Sequence, residues 1–209
     1  MSKAIKRSQP TDVTLGSRGN VDGKGLNGFM LDWYQTEPRG VVAKPQRQVL
    51  AEFFTSMLIL SAHFKYKPSL GTDNYLYYVD DNWLLSLIAP QQWSDKHCAG
   101  FAGTCKLQRD MTWTIEPSEQ LLGSEDLSAA VGRFFDAFAE TMDTDLTLEE
   151  ILPFYVRRMP YWQRLHASAL SRSIRGTINL GDQGSMSARE WQAALPASSN
   201  AFFPRATET

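Results

Sequence analysis

Residues 64–116 constrain this chain more than any other stretch: FKYKPSLGTDNYLYYVDDNWLLSLIAPQQWSDKHCAGFAGTCKLQRDMTWTIE. Side-chain alternation predicts a β-hairpin within it. Tyr75, Tyr77 and Val79 point to one face of a strand, Leu76 and Tyr78 to the other. Asp80, Asp81 and Asn82 tolerate left-handed dihedrals and predict the turn. The chain then returns through Trp83, Leu84, Leu85, Ser86, Leu87 and Ile88. Large apolar groups on both faces of both strands predict burial on two sides. Ala89-Pro90 stops the strand, because proline has no donor for the ladder. Gln91, Gln92 and Trp93 make a turn that folds the indole back onto the sheet. Gly100 and Gly103 read as a loosened loop. Two more short strands follow at 105–108 and 111–115, separated by an Arg109-Asp110 turn.

The strings YLYYVDDNWLLSLIAPQQW and FAGTCKLQRDMTW resemble a domain-of-unknown-function family of small soluble proteins found in bacteria and eukaryotes. Its members carry a helix, a tyrosine-rich hairpin, a Ser-Leu-Ile/Met-x-Pro-x-x-Trp return strand and a Lys/Arg-Leu-x-x-Asp-Met-x-Trp ending. Here these elements fall on Ser86, Leu87, Ile88, Pro90 and Trp93, then on Lys106, Leu107, Asp110, Met111 and Trp113. The resemblance covers roughly residues 46–116. Gln91-Gln92 stands where the family usually has an acid, and this chain continues far beyond its second motif tryptophan. The resemblance implies a fold but no reaction.

The composition fits an ordinary globular protein. With 209 residues, 43% of them hydrophobic, the chain can bury one good core, or a core with a helical appendage. A formal charge of −2 predicts no general affinity for nucleic acid. No apolar run approaches the length of about 18 residues that reads as a membrane-spanning helix, and the N-terminal basic residues have no apolar segment behind them. Two cysteines, Cys98 and Cys105, make no disulfide framework and point to the cytoplasm.

Along the chain, residues 1–25 are polar and predicted to be disordered. An apolar island at 26–34 can dock on the core. A helix over 46–62 has Val49, Leu50, Phe53, Phe54, Met57 and Leu58 on one broad face, which should cover one side of the sheet. Beyond Pro117 the pattern is helical. Ser124 caps one helix, with Leu127, Val131, Phe134, Phe135, Phe138 and Met142 as its apolar stripe. Thr147 starts a capping-box pattern with Glu150 as its acid, and a last short helix can start at Ser187-Ala-Arg-Glu190 and stop before Pro196. A helical face through Trp162, Leu165, Ala169 and Ile174 should end at Gly176. The tail after Pro196 reads as loosely held.

Charge is segregated in this helical part. Residues 116–150 carry ten acids against Arg133 alone, and 157–175 carry Arg157, Arg158, Arg164, Arg172 and Arg175 with no acid. The two segments can neutralise each other or present solvated faces. Alternatively the arginines, interleaved with Tyr161, Trp162 and His166, form a face for phosphate, nucleic acid or an acidic partner.

Signatures of known chemistry are sparse. There is no Gly-rich phosphate loop, no H-E-x-x-H and no G-x-S-x-G. His97, Cys98 and Cys105 fit no common zinc spacing, and His63 closes the first helix where a cation is favoured. Asp80 and Asp81 are explained by turn chemistry. Asp110, which matches an Asp of the family motif, reads first as a turn cap accepting backbone N–H bonds and second as a catalytic acid. Tyr75, Tyr77, Tyr78 and Trp83 read as cross-strand packing or, where exposed, as a binding surface.

These observations predict an α+β protein: a helix packed on a small antiparallel sheet, followed by a C-terminal helical extension. The expected units are a disordered 1–25, an α+β domain 26–117, helices over 118–196 and a flexible tail 197–209. The function expected first is a cytoplasmic, non-catalytic interaction or adaptor module with a protein partner. A nucleic-acid-associated protein using 157–175 comes second and an enzyme of unrecognised type third. No cofactor, metal or membrane insertion is expected.

Overall fold

The computed structural model describes residues 25–93, 95–154 and 156–203. The reading of 1–25 as disordered therefore lies, but for Gly25, outside the described residues.

The hairpin forms as its alternation requires. Strand β1 (Asp73–Val79) pairs antiparallel with β2 (Asn82–Ser86), from Tyr75↔Ser86 to Val79↔Asn82. Asp80 and Asp81 make the two-residue turn with φ of 51° and 58°, the left-handed pair that matches strand twist. β3 (Phe101–Leu107) adds to the other side of β1 and β4 (Trp113–Pro117) to β3, giving the order β2-β1-β3-β4. β3 begins earlier than the sequence predicts, because its glycines permit close packing rather than loosening a loop. A Cβ at Gly100 would sit 2.2 Å from the Tyr78 carbonyl oxygen, and one at Gly103 would sit 2.4 Å from that of Glu116.

The two faces of the sheet are covered differently. On the inner face, Leu76 lies opposite Leu85 and Leu107 opposite Trp113, all buried under helix α2 (Gln46–Ser61). On the outer face, Tyr77 and Phe101 are roofed by Trp93 and the short helix α3 (Asp95–Ala99). Trp93 and Trp113 therefore both lie against the sheet, on opposite sides.

Helix α2 does more than cover the sheet. Val49, Leu50, Phe53, Phe54, Leu58, Ile59 and Leu60 are all buried, so its apolar character wraps most of the helix. The far side is taken by α5 (Glu125–Thr141) and α7 (Tyr161–Leu180), which make α2 the middle layer of the molecule. Phe54 sits edge-on to Phe134, Phe135 and Phe138, with centroids 5.5–5.8 Å away. Gly176 does not end α7; it lies inside that helix, where the missing side chain makes room for Val41. The island at 26–34 becomes helix α1 (Leu26–Gln35), docked where Tyr161 Oη donates to Asp32 at 2.8 Å and Arg172 lies 4.2 Å over the Trp33 ring.

The caps fall where the sequence places them. Ser124 starts α5, after the short α4 (Glu119–Gly123), and Thr147 and Ser187 form capping boxes on α6 (Leu148–Ile151) and α8 (Ala188–Gln192). α5–α6 and α7–α8 are thus two helix–loop–helix units. Their loops meet in one antiparallel bridge, Thr147↔Ser187, closed by Arg189 on Asp143 and Asp145.

One continuous core joins all layers, from Val49 to Phe203, so the boundary expected at 117/118 does not divide it. The tail also departs from expectation. Phe202 and Phe203 are buried, and Phe202 stacks on Phe54 at 4.8 Å, which fastens the chain beyond Pro196. Among the described residues, no helix is long and apolar enough to cross a membrane.

Candidate functional site

The hairpin separates its tyrosines. Tyr77 is fully buried, donates from Oη to the Ile88 carbonyl at 2.8 Å and meets Trp93 edge-on at 6.1 Å. Burial raises its hydroxyl pKa well above the ordinary value. As a binding residue Tyr77 is thus a correction, because Trp93 seals it from any partner. Tyr75 is half-buried beside Phe101 at 6.3 Å.

Tyr78 is placed differently. It points to the face shared with α5 and packs on Trp83 at 4.9 Å, both rings partly buried. Its hydroxyl receives a hydrogen bond from Arg133 Nη2 at 2.8 Å and donates to Asp81 Oδ1 at 3.2 Å. A cleft of about 500 Å³ opens here between the hairpin turn, the end of α3 and the first half of α5. Asp80, Asp81 and Asp126 line it together with Tyr78 and Arg133, so acids outnumber cations among the described residues that line it. Sequence reasoning missed Arg133 as a site residue. The available signal was its isolation, since it is the one basic residue in an acidic segment.

Asp110 lies at the other end of the sheet, in the β3–β4 turn. Its Oδ1 accepts from the Thr112 backbone N–H at 3.1 Å and from Thr112 Oγ1 at 2.7 Å, the cap geometry that the sequence predicts. Its Oδ2 accepts from Lys44 Nζ at 2.7 Å, and Lys44 also donates to Glu52 at 2.6 Å. Burial alone would raise the Asp110 pKa, but the bonds from Lys44 and Thr112 outweigh it and hold the carboxyl below its usual range. For Lys44, burial pulls downward, while Asp110 and Glu52 more than offset it and raise the ammonium above its ordinary value. Both groups are held in their ordinary charged forms, the opposite of what a general acid or base near neutral pH needs. Lys44 and Glu52 carried no recognisable sequence signal, since they become partners of Asp110 only through the fold.

The five arginines do not form one exposed face. Arg157 and Arg158 are exposed before α7, whereas Arg164 is only 7% exposed, within that helix. Arg172 stacks on Trp33 and donates to the Thr36 carbonyl at 2.9 Å, and Arg175 pairs with Glu149 at 2.9 Å. His166, expected beside them on a surface, is buried, and neither ring nitrogen has a hydrogen-bond partner. Burial first, and the nearby Lys67 charge second, lower its pKa to about 4. Helical periodicity puts residues 164, 172 and 175 within one arc of about 80° on α7, but Arg164 is buried there and Arg172 and Arg175 are each taken up by a neighbouring element.

The remaining soft ligands also lie apart in role. His97 stacks on Trp93 at 4.1 Å, Cys98 Sγ donates to the Pro90 carbonyl at 2.9 Å, and Cys105 is fully buried in the core. Among the described residues, no group of three or more His, Cys, Asp and Glu is arranged to hold a metal ion. No family model matches the chain, and no curated protein or solved structure matches it significantly.

Proposed function

We propose that the chain is a non-catalytic protein-interaction module whose partner inserts a basic segment into the cleft at the hairpin turn. The observation that carries this reading is the Tyr78–Trp83–Arg133 cluster. Tyr, Trp and Arg are the side chains that most often dominate binding energy at protein interfaces. Here their positions are fixed before any partner arrives, by the Arg133–Tyr78–Asp81 hydrogen bonds, which lowers the ordering cost of binding.

Charge supplies the partner's sign. Asp80, Asp81 and Asp126 rim the cleft, and α5 exposes Glu125, Asp136 and Glu140 farther along. Such a surface favours a lysine- or arginine-bearing segment and speeds its encounter. Free Cys98 and Cys105 fit a reducing, cytoplasmic setting. Three arginines of 157–175 are taken up within the fold, Arg164 by burial, Arg172 on Trp33 and Arg175 on Glu149, which weakens the nucleic-acid reading, and the locked charges at Asp110 give the enzymatic one no proton carrier there.

Affinity purification from the native cell, with wild type beside Ala129→Arg and Asp126→Lys, tests the proposal. Both positions are exposed on α5 and line the cleft. A protein that co-purifies with wild type should disappear with both variants while their melting temperatures stay put. An unchanged set of co-purifying proteins would sink the reading.

A further inference from the structure

The β3–β4 turn forms a second cleft of about 510 Å³, at the opposite end of the sheet from the hairpin turn. Two connections hold it open as a fixed shape. The Arg39 backbone N–H donates to the Arg109 carbonyl at 2.9 Å, and Lys44 bridges to Asp110 at 2.7 Å. The loop leading into α2 is thereby pinned to the β-turn at both ends of a short segment.

The charges of this cleft are unevenly satisfied. Its floor keeps one negative charge in excess, since the single ammonium of Lys44 sits between Asp110 and Glu52. Its rim has the opposite sign. Arg39 and Arg109 both line the cleft and are exposed, and neither makes an ion pair with a described carboxylate. Two guanidinium groups facing one cleft repel each other and are relieved by an anion between them.

We infer that this cleft binds a phosphate monoester, gripped by Arg39 and Arg109. A doubly charged tetrahedral group offers each planar fork two oxygens, which a point cation could not exploit as well. Lys44 is a positioning residue here, since its charge is spent on Asp110 and Glu52. The site is separate from the acidic cleft at the hairpin turn and does not depend on it.

Arginine Nε–Hε signals followed by NMR would test the inference during titration with inorganic phosphate, a phosphoserine peptide, its unphosphorylated counterpart and glutamate. Saturable shifts at Arg39 and Arg109 are expected with the phosphate-bearing probes only. Stronger binding of the peptide than of inorganic phosphate would assign the source to a phosphorylated protein; equal binding would assign it to free phosphate. The Arg39→Gln/Arg109→Gln variant should lose about tenfold or more in affinity, as expected for lost charge-assisted bonds, with its backbone spectrum retained. The control Arg157→Gln/Arg158→Gln should bind as wild type does. Absence of saturable shifts, equal response to glutamate, or full binding by the Arg39/Arg109 variant would overturn the inference.

Discussion

Lys44 reaches Asp110 across 66 positions of sequence, with Nζ 2.7 Å from Oδ2. That contact explains why an aspartate in a β-turn is held so firmly without acting as an acid or base. Asp110→Asn should lower stability by about 1–2 kcal/mol, through loss of a charge-assisted bond and weakening of the turn. Because the folded carboxyl is held below its usual range, its contribution is present above the unfolded pKa and fades as pH falls through the folded one. Urea unfolding of the two proteins should therefore differ at neutral pH and converge in acid. A constant difference down to pH values where every carboxyl is protonated would contradict the ion-pair account.

His166 predicts a second pH dependence. The unfolded chain takes up a proton below its ordinary pKa of 6.5, whereas the folded protein resists until about 4. Stability from this residue is thus complete above 6.5 and is lost as pH falls towards 4, by about 3 kcal/mol in all. His166→Leu should flatten that part of the profile relative to wild type. An equal slope in both proteins between pH 6.5 and 4 would show that another group carries the effect.

The two motif tryptophans should not be equivalent. Trp113 is 1% exposed, sandwiched between the sheet and α2, with its backbone N–H on Ser56 Oγ at 2.8 Å. Trp113→Ala should cost about 3–5 kcal/mol. Half-buried Trp93 roofs only the outer face, so Trp93→Ala should cost less, about 1–3 kcal/mol. The reverse order in chemical denaturation would mean that the outer face, not the α2 side, is the main core.

Glycines offer a contrast that needs no new contact. Gly100→Ala and Gly103→Ala would press a methyl group against carbonyl oxygens of the neighbouring strand, at 2.2 and 2.4 Å, and each should destabilise by about 1–3 kcal/mol or more. Gly132 lies in α5 with nothing within 4 Å of the place a methyl group would take, so Gly132→Ala should stabilise by up to about 1 kcal/mol. Thermal melts of the three variants check both signs at once.

Local rules made much of this fold legible. The period of two across 75–79, the aspartates of the turn, and the Ser124, Thr147 and Ser187 caps all act over a few residues, and each took its expected place. Where packing between distant segments decides, sequence pattern failed. Gly100 and Gly103 looked like flexibility and are close-approach positions; Gly176 looked like a helix end and is a seat for Val41. Phe202 and Phe203 looked like a tail because nothing nearby in sequence could bury them, yet Phe54 does. At the candidate site, Tyr78, Trp83 and Asp110 were visible as residue types, but Arg133 and Lys44, which bond to Tyr78 and Asp110, and Asp126, which lines the cleft with Tyr78, come from other segments. Tyr77 was misjudged because alternation tells which face a side chain takes, not what covers that face.

The central claim, a partner docking at the hairpin-turn cleft, is tested most directly by site-specific photo-crosslinking in the native cell. A photoreactive phenylalanine analogue would replace Ala129, which lines the cleft, or as a control Leu180, which is exposed at the end of α7 and lines neither cleft. The account predicts a discrete crosslinked protein from position 129, lost on adding Asp126→Lys, whose contacting peptide is rich in lysine or arginine. No adduct from position 129, or the same adduct from position 180, would contradict it.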